Sequence, residues 1–408
     1  MSDVLTCWIW VQRAVGAGSS DVPRLLEAFS TAEGIYRADR AALMRAGIRG
    51  RTLEALCRKD LKEADKQRER CARLGWMLTP QDELYPESLR HIYSPPLVLY
   101  GKGRLPDFSE AAVPAIAMVG TRECTTYGIH AAAALSAGLA AAGCPIISGG
   151  ARGIDRAAHE GALYAGGSTV ILQACGLDVN YPFVNRDLRR QVLENGGAIL
   201  TEFAPGTLAH RGNFRIRNRL ISGLARGVCI VEAPSVSGAL ITARAARDQG
   251  RDVFVVPGRV TDEASAGSNA LIREGAALVA RPSDVLSEYP QHFDRKLTED
   301  ADRGQAAYYE WLEQGSKQTL KVADAPAEIA VASAPAAEVT GEPKACPEIV
   351  SDTARTVYAC IITEELAADE ICEREGLTPG EVFAALTELE LFGCVESRPG
   401  KRYIVSRD

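Results

Sequence analysis

Two stretches, Ala115-Ile116-Ala117-Met118-Val119-Gly120-Thr121-Arg122 and Pro145-Ile146-Ile147-Ser148-Gly149-Gly150-Ala151-Arg152-Gly153-Ile154-Asp155, decide the fold. Each is a short apolar run that breaks at glycine before a helical pattern begins. That predicts a strand buried on both faces and feeding a helix, the repeating unit of a parallel sheet. Four more runs read the same way: Thr169–Leu172, Ala198–Thr201, Val228–Val231 and Asp252–Val256. Together with Ala115–Val119 and Pro145–Ser148 they predict a Rossmann-like α/β sheet over residues 110–285, with ligands at the carboxyl ends of the strands.

Outward from this core, residues 1–100 read as a small helical domain of SAM or helix-hairpin-helix type, followed by a lead-in. Apolar positions such as Leu25, Leu26 and Phe29, then Leu53, Leu56 and Leu61, recur at helical spacing. The Gly16-Ala17-Gly18-Ser19 turn reads first as a connection between helices. Residues 286–350 lose the alternation. Ala323–Pro347 is rich in Ala, Pro and Glu, so an acidic, disordered linker is expected, with a short helix near Tyr308–Leu312. Residues 351–408 regain helical spacing and close on the hairpin-like Arg398-Pro399-Gly400-Lys401, which predicts a winged helix.

Composition supports a multidomain globular chain: 408 residues, 46% hydrophobic and 24% charged. There are eleven cysteines and no C-x-x-C pair, which implies reduced thiols and no zinc site. No apolar run is long enough to span a membrane, and Met1-Ser2-Asp3-Val4 opens no signal peptide, so a cytoplasmic protein is expected. The net charge of −7 alone argues against a nucleic-acid ligand. Its distribution argues the other way. Residues 286–350 and 351–408 carry −6 each, whereas 113–285 is net basic and every basic residue there is Arg. A planar guanidinium fork matches phosphate oxygens.

The strand-end loops carry the chemistry. Arg122 emerges just after the first strand. Ser148, Gly149, Gly150, Arg152 and Gly153 lie between the second strand and a helix start, where glycines and unpaired helix N–H groups suit phosphate. Ser237-Gly238 and Gly267-Ser268-Asn269 precede two further helices at the same predicted sheet edge; either could also be an ordinary cap. The Arg211–Arg219 segment interleaves Arg215, Arg217, Asn218 and Arg219 with Phe214, a pattern suited to a single strand whose phosphates are paired while a base stacks. Ion pairing of some of these arginines within a dimer fits equally well. His159 has no nucleophile signature beside it and reads as packed. Glu202 and Glu232 end apolar strands without metal-ligand spacing. With no Walker A loop and no dinucleotide glycine spacing, neither catalysis nor a cofactor is expected.

Read together, these motifs resemble the DprA/Smf family of DNA-processing proteins of bacterial transformation. The likeness rests on Val119–Arg122, Ser148–Asp155 with His159, Tyr181-Pro182 with Asn185, Arg217–Leu224, Val231-Glu232-Ala233, Ser237–Ala243, Val256-Pro257-Gly258 and Gly267–Ile272. Upstream, Asp82–Pro86 and Pro95–Tyr100 resemble the family's lead-in to this domain. The resemblance implies a non-enzymatic homodimer that binds and protects single-stranded DNA and helps load the RecA recombinase. Arg122 and Ser148–Gly153 would form its phosphate pocket, with Arg217 and Arg219 nearby. Two positions depart from the pattern: Phe183 stands where many members have a basic residue, and Arg215 where the family has Pro. The C-terminal module resembles the family's winged helix, yet the helix launched at Thr378-Pro379-Gly380-Glu381 carries Glu381, Glu388 and Glu390 and no basic residue. That charge disfavours DNA reading and points to a protein-contact or regulatory role. The rival from another class is a Rossmann-like phosphoribohydrolase, whose Pro-Gly-Gly-x-Gly-Thr loop is replaced here by Pro257-Gly258-Arg259-Val260.

Overall fold

The computed structural model describes residues 4–323, 350–362, 366–375, 377–392, 394–398 and 402–405. Its contacts divide the chain into two compact units, Met1–Ala325 and Pro326–Asp408.

The first unit is built on a nine-stranded sheet. Its strands are β1 (Trp76–Leu78), β2 (Leu99–Gly103), β3 (Ile116–Val119), β4 (Ile146–Ser148), β5 (Thr169–Leu172), β6 (Ala198–Thr201), β7 (Gly227–Ile230), β8 (Asp252–Val255) and β9 (Ala277–Leu278), in the order β1-β2-β6-β5-β4-β3-β7-β8-β9. From β6 to β9 all neighbours are parallel, and β2 and β1 extend the β6 edge antiparallel. The six strands expected from the sequence all form, each within a residue of the expected bounds. The strands β1, β2 and β9 are additional. The first parallel strand, β3, lies between β4 and β7, so the strand order reverses there and opens a crevice at the strands' carboxyl ends.

Helices clothe both faces. Six precede the sheet: α1 (Val4–Val15), α2 (Asp21–Phe29), α3 (Ala32–Arg37), α4 (Arg40–Arg45), α5 (Gly50–Cys57) and α6 (Lys62–Ala72). The short α7 (Glu87–Arg90) follows, then α8 (Thr126–Ala141), α9 (Ile154–Tyr164), α10 (Arg186–Glu194), α11 (Arg211–Leu224), α12 (Gly238–Asp248), α13 (Ala266–Arg273), α14 (Pro282–Leu286) and α15 (Arg295–Ala323). Side chains alternate along a strand. Ile116, Met118 and Ile146 therefore face a core shared with α8, α9 and α15, while Ala117, Val119 and Ile147 face one shared with α11 and α12.

Two expectations are corrected here. The N-terminal helices do not form a separate domain. Trp8, Ile9, Leu25 and Leu56 share one core with Ile171 and Ile199 of the sheet, and Gln12 bonds to the backbone of Val98 and Glu202. Nor is the segment after residue 286 wholly linker, because α15 packs along α8. A Cβ on Gly138 would stand 2.5 Å from the Ala301 carbonyl oxygen, so only glycine permits this approach. The Ser283 amide also donates to Asp302 at 2.9 Å. The expected disordered stretch, beyond Ala323 itself, lies outside the described residues.

The second unit holds α16 (Asp352–Ile361), β10 (Leu366–Ala367), α17 (Ala368–Glu375), α18 (Pro379–Leu391), β11 (Val395–Arg398) and β12 (Arg402–Val405), with sheet order β10-β12-β11. Thr378 and Glu381 form the reciprocal cap that starts α18. Glu388 accepts from the Ser351 amide and hydroxyl at 2.9 and 2.6 Å, tying α18 to the entry of α16. The hairpin tip, residues 399–401, lies outside the described residues.

Candidate nucleic-acid interface

The crevice at the β3 switch point has a cleft of about 470 Å³, lined by Thr121, Arg122, Arg211, Phe214, Ser237 and Gly238 among others. Its walls follow from local sequence. Gly120 lets the chain leave β3 beneath Ile154, whose Cγ1 would lie 2.5 Å from a Cβ there. Gly153 has φ 76° and would meet the carbonyl oxygens of Thr121 and Arg122 at 2.6 and 2.7 Å, so it brings the β4 and β3 loops together. Asn185 fixes the rest of the β4 loop by donating through Nδ2 to Gly150 and Ala151 at 3.0 and 2.9 Å.

Arg122 is exposed at the mouth of the cleft, its guanidinium 4.5 Å from the Phe214 ring centroid. Tyr181 packs on Phe214 at 5.7 Å. Among the described residues Arg122 forms no ion pair, and neither do the exposed Arg152, Arg211 and Arg215. A cation stacked on an aromatic face keeps its N–H edge available to an anion. Below this layer Arg217 is buried, donating to the carbonyls of Gly149, at 2.8 Å, and Leu172. Asp155 lies beside it. Burial, opposed by Asp155, pulls the Arg217 guanidinium down to about 10. Burial, opposed by Arg217, raises the Asp155 carboxyl. The pair forms the charged floor of the cleft.

Not every residue singled out in the sequence lines this crevice. Ser148 is fully buried and donates to the Met118 carbonyl at 2.6 Å, joining β4 to β3. Gly149 and Gly150 accommodate Arg217 and Ile171, against which a Cβ would stand at 2.5 and 2.7 Å. Asn218, Ser237 and Gly238 do line the crevice, Asn218 donating to the Gly238 carbonyl at 3.2 Å and Ser237 capping α12. Arg219 points away, into a buried ion pair with Glu202. Gly267 and Ser268 bond to the Ala233 carbonyl, and Asn269 clasps Gly258 through both its amide groups at 3.1 Å, so this trio braces the neighbouring loops. Glu232 accepts from the Thr125 amide and hydroxyl at 2.9 and 2.6 Å, which commits it to the start of α8. His159 is packed, its Nδ1 2.7 Å from the Thr169 hydroxyl, and burial lowers it to about 3. Asn185 and Tyr181 are the site residues that the reading of charge and glycine spacing passed over.

A family model described as DNA recombination-mediator protein A matches residues 76–290, more than half of the chain. The chain belongs to this family. A second model, the DprA winged helix domain, matches residues 340–401. Protein Smf of Synechocystis is 34% identical over 97% of both chains. A putative DNA processing protein DprA of Mycobacterium tuberculosis is 36% identical over 80% of this chain and 76% of its own. The crystal structure of DNA processing protein A from Streptococcus pneumoniae superposes with TM-score 0.59 and 33% identity, covering 69% of this chain and 97% of that one. The DprA domain contributes every wall of the cleft. Among the described residues, no helix is long and apolar enough to cross a membrane.

Proposed function

We propose that this chain binds single-stranded DNA non-enzymatically in the cytoplasm, as a homodimer that protects the strand and helps load the RecA recombinase. The observation that carries the reading is the Arg122–Phe214 stack at the mouth of the cleft. It offers one group for a phosphate beside one for a base, which suits an unpaired strand better than a duplex whose bases face inward. Arg152, Arg211 and Arg215 extend the positive surface along the backbone path, and the start of α12 at Ser237-Gly238 adds the positive end of a helix dipole. The names borne by the relatives agree with DNA processing.

The test compares binding of a single-stranded oligonucleotide and the matching duplex over a salt series, for the wild type and Arg122→Ala. Preference for the single strand, a steep salt slope and a loss on substitution are expected. Equal affinity for the two forms, or an Arg122→Ala protein that binds like wild type, would overturn the reading.

A further inference from the structure

At the far edge of the sheet β1 has, among the described residues, no neighbour beyond β2, so its outer N–H and C=O groups form an open template for another strand. Met77 turns into the core beneath the N-terminal helices, which puts Trp76 and Leu78 on the opposite face. There they line an apolar trough of about 660 Å³ with Leu84, Leu105 and Phe108. Leu84 is 76% exposed at its lip. The rim is acidic: Glu83 and Asp107 form no ion pair among the described residues, Glu87 is engaged by Arg90 and His91, and Arg104 is the one basic lining residue.

We propose that this edge binds an extended segment of a partner protein, apolar at alternate positions and flanked by Lys or Arg, which adds to β1 as a tenth strand. Main-chain pairing would supply affinity, and the trough would select every second side chain. The rim selects the charge of the flanks. It also disfavours a second copy of this chain, because edge-to-edge pairing would oppose two rims bearing Glu83 and Asp107. Four strand spacings separate β1 from β4, about 19 Å at about 4.8 Å each. A peptide here and a strand of DNA in the crevice can therefore be held together.

A random octapeptide library panned on the intact protein tests this. Enrichment of sequences alternating apolar residues between Lys or Arg is expected. The best of these should bind Leu84→Glu at least about tenfold more weakly, while single-stranded DNA binding is unchanged. Hydrogen exchange at residues 76–78 should slow on binding the peptide. The proposal is overturned if no Leu84-dependent peptide emerges, if enriched peptides are acidic, or if exchange at β1 does not change. Dimerisation that Leu84→Glu abolishes would overturn it in favour of a second copy.

Discussion

Arg219 donates through Nη2 to Glu202 Oε2 at 2.5 Å, and Glu202 also accepts from the Gly18 amide at 3.3 Å. This buried pair therefore joins α11 to the end of β6 and to the turn between α1 and α2. It sets Arg219 apart from Arg122, with which it shares a sign of charge but no task.

The two arginines should accordingly fail in different ways. Removing one partner of a buried ion pair leaves an uncompensated charge, so Arg219→Ala is expected to lower unfolding stability by about 3–5 kcal/mol. Single-stranded DNA affinity of the folded protein should change little. Chemical denaturation and DNA titration on the same sample measure both. Equal loss of DNA binding by stably folded Arg219→Ala and Arg122→Ala would place Arg219 in the crevice after all.

Within the crevice, charge and stacking separate by salt dependence. Arg122→Ala should weaken single-stranded DNA binding and reduce the slope of log affinity against log salt by about 0.7, the share of one phosphate contact. Phe214→Ala should cost about 1–3 kcal/mol from the lost base platform, with a smaller change in slope. Fluorescence titration at several salt concentrations distinguishes them.

The contrast between these arginines also explains what the sequence could and could not disclose. The β3 and β4 loops were legible because an apolar run ending in glycine is a local signal, and strand, turn and helix start all fall within a few residues of it. Whether Arg217 and Arg219 face ligand or core depends on Asp155 and Glu202, which are far away in sequence, so no reading of the Arg-rich segment alone could decide it. Of the helix α15 the sequence discloses only the short piece near Tyr308–Leu312. Leu297, Ala301, Gly304, Tyr308 and Leu312 recur at helical spacing, but the two that approach α8 are small, and their lack of bulk resembles a linker. The strand β1 has three residues and β2 ends in Gly101-Lys102-Gly103, so neither stands out by periodicity.

Glycines of the site should respond to substitution according to what surrounds them. Gly153 sits at positive φ with backbone oxygens of Thr121 and Arg122 where a Cβ would go, and backbone cannot step aside cheaply. Gly153→Ala is expected to lose stability by about 1–3 kcal/mol and to weaken DNA binding by displacing the Arg122 loop. A Cβ on Gly238 meets nothing within 4 Å, so Gly238→Ala should leave thermal unfolding close to wild type. A comparison of melting curves checks the pair, and a Gly238→Ala protein as unstable as Gly153→Ala would contradict the packing described.

The packed state of His159 makes a prediction about acid. Burial, helped by the positive charge of Arg217, lowers its folded-state value to about 3 from an ordinary value of 6.5. A depressed value means that the unfolded chain binds the proton more readily, so the contribution is fully present above about pH 6.5 and is lost as pH falls toward 3. The loss accrues at up to about 1.4 kcal/mol per pH unit. His159→Gln, which keeps a polar partner for Thr169 without a titrating ring, should flatten the fall in stability between pH 6 and pH 4 even if it is less stable at neutral pH. Urea denaturation across that range measures the slope, and parallel profiles for wild type and variant would show that His159 is not the group whose protonation opens the core.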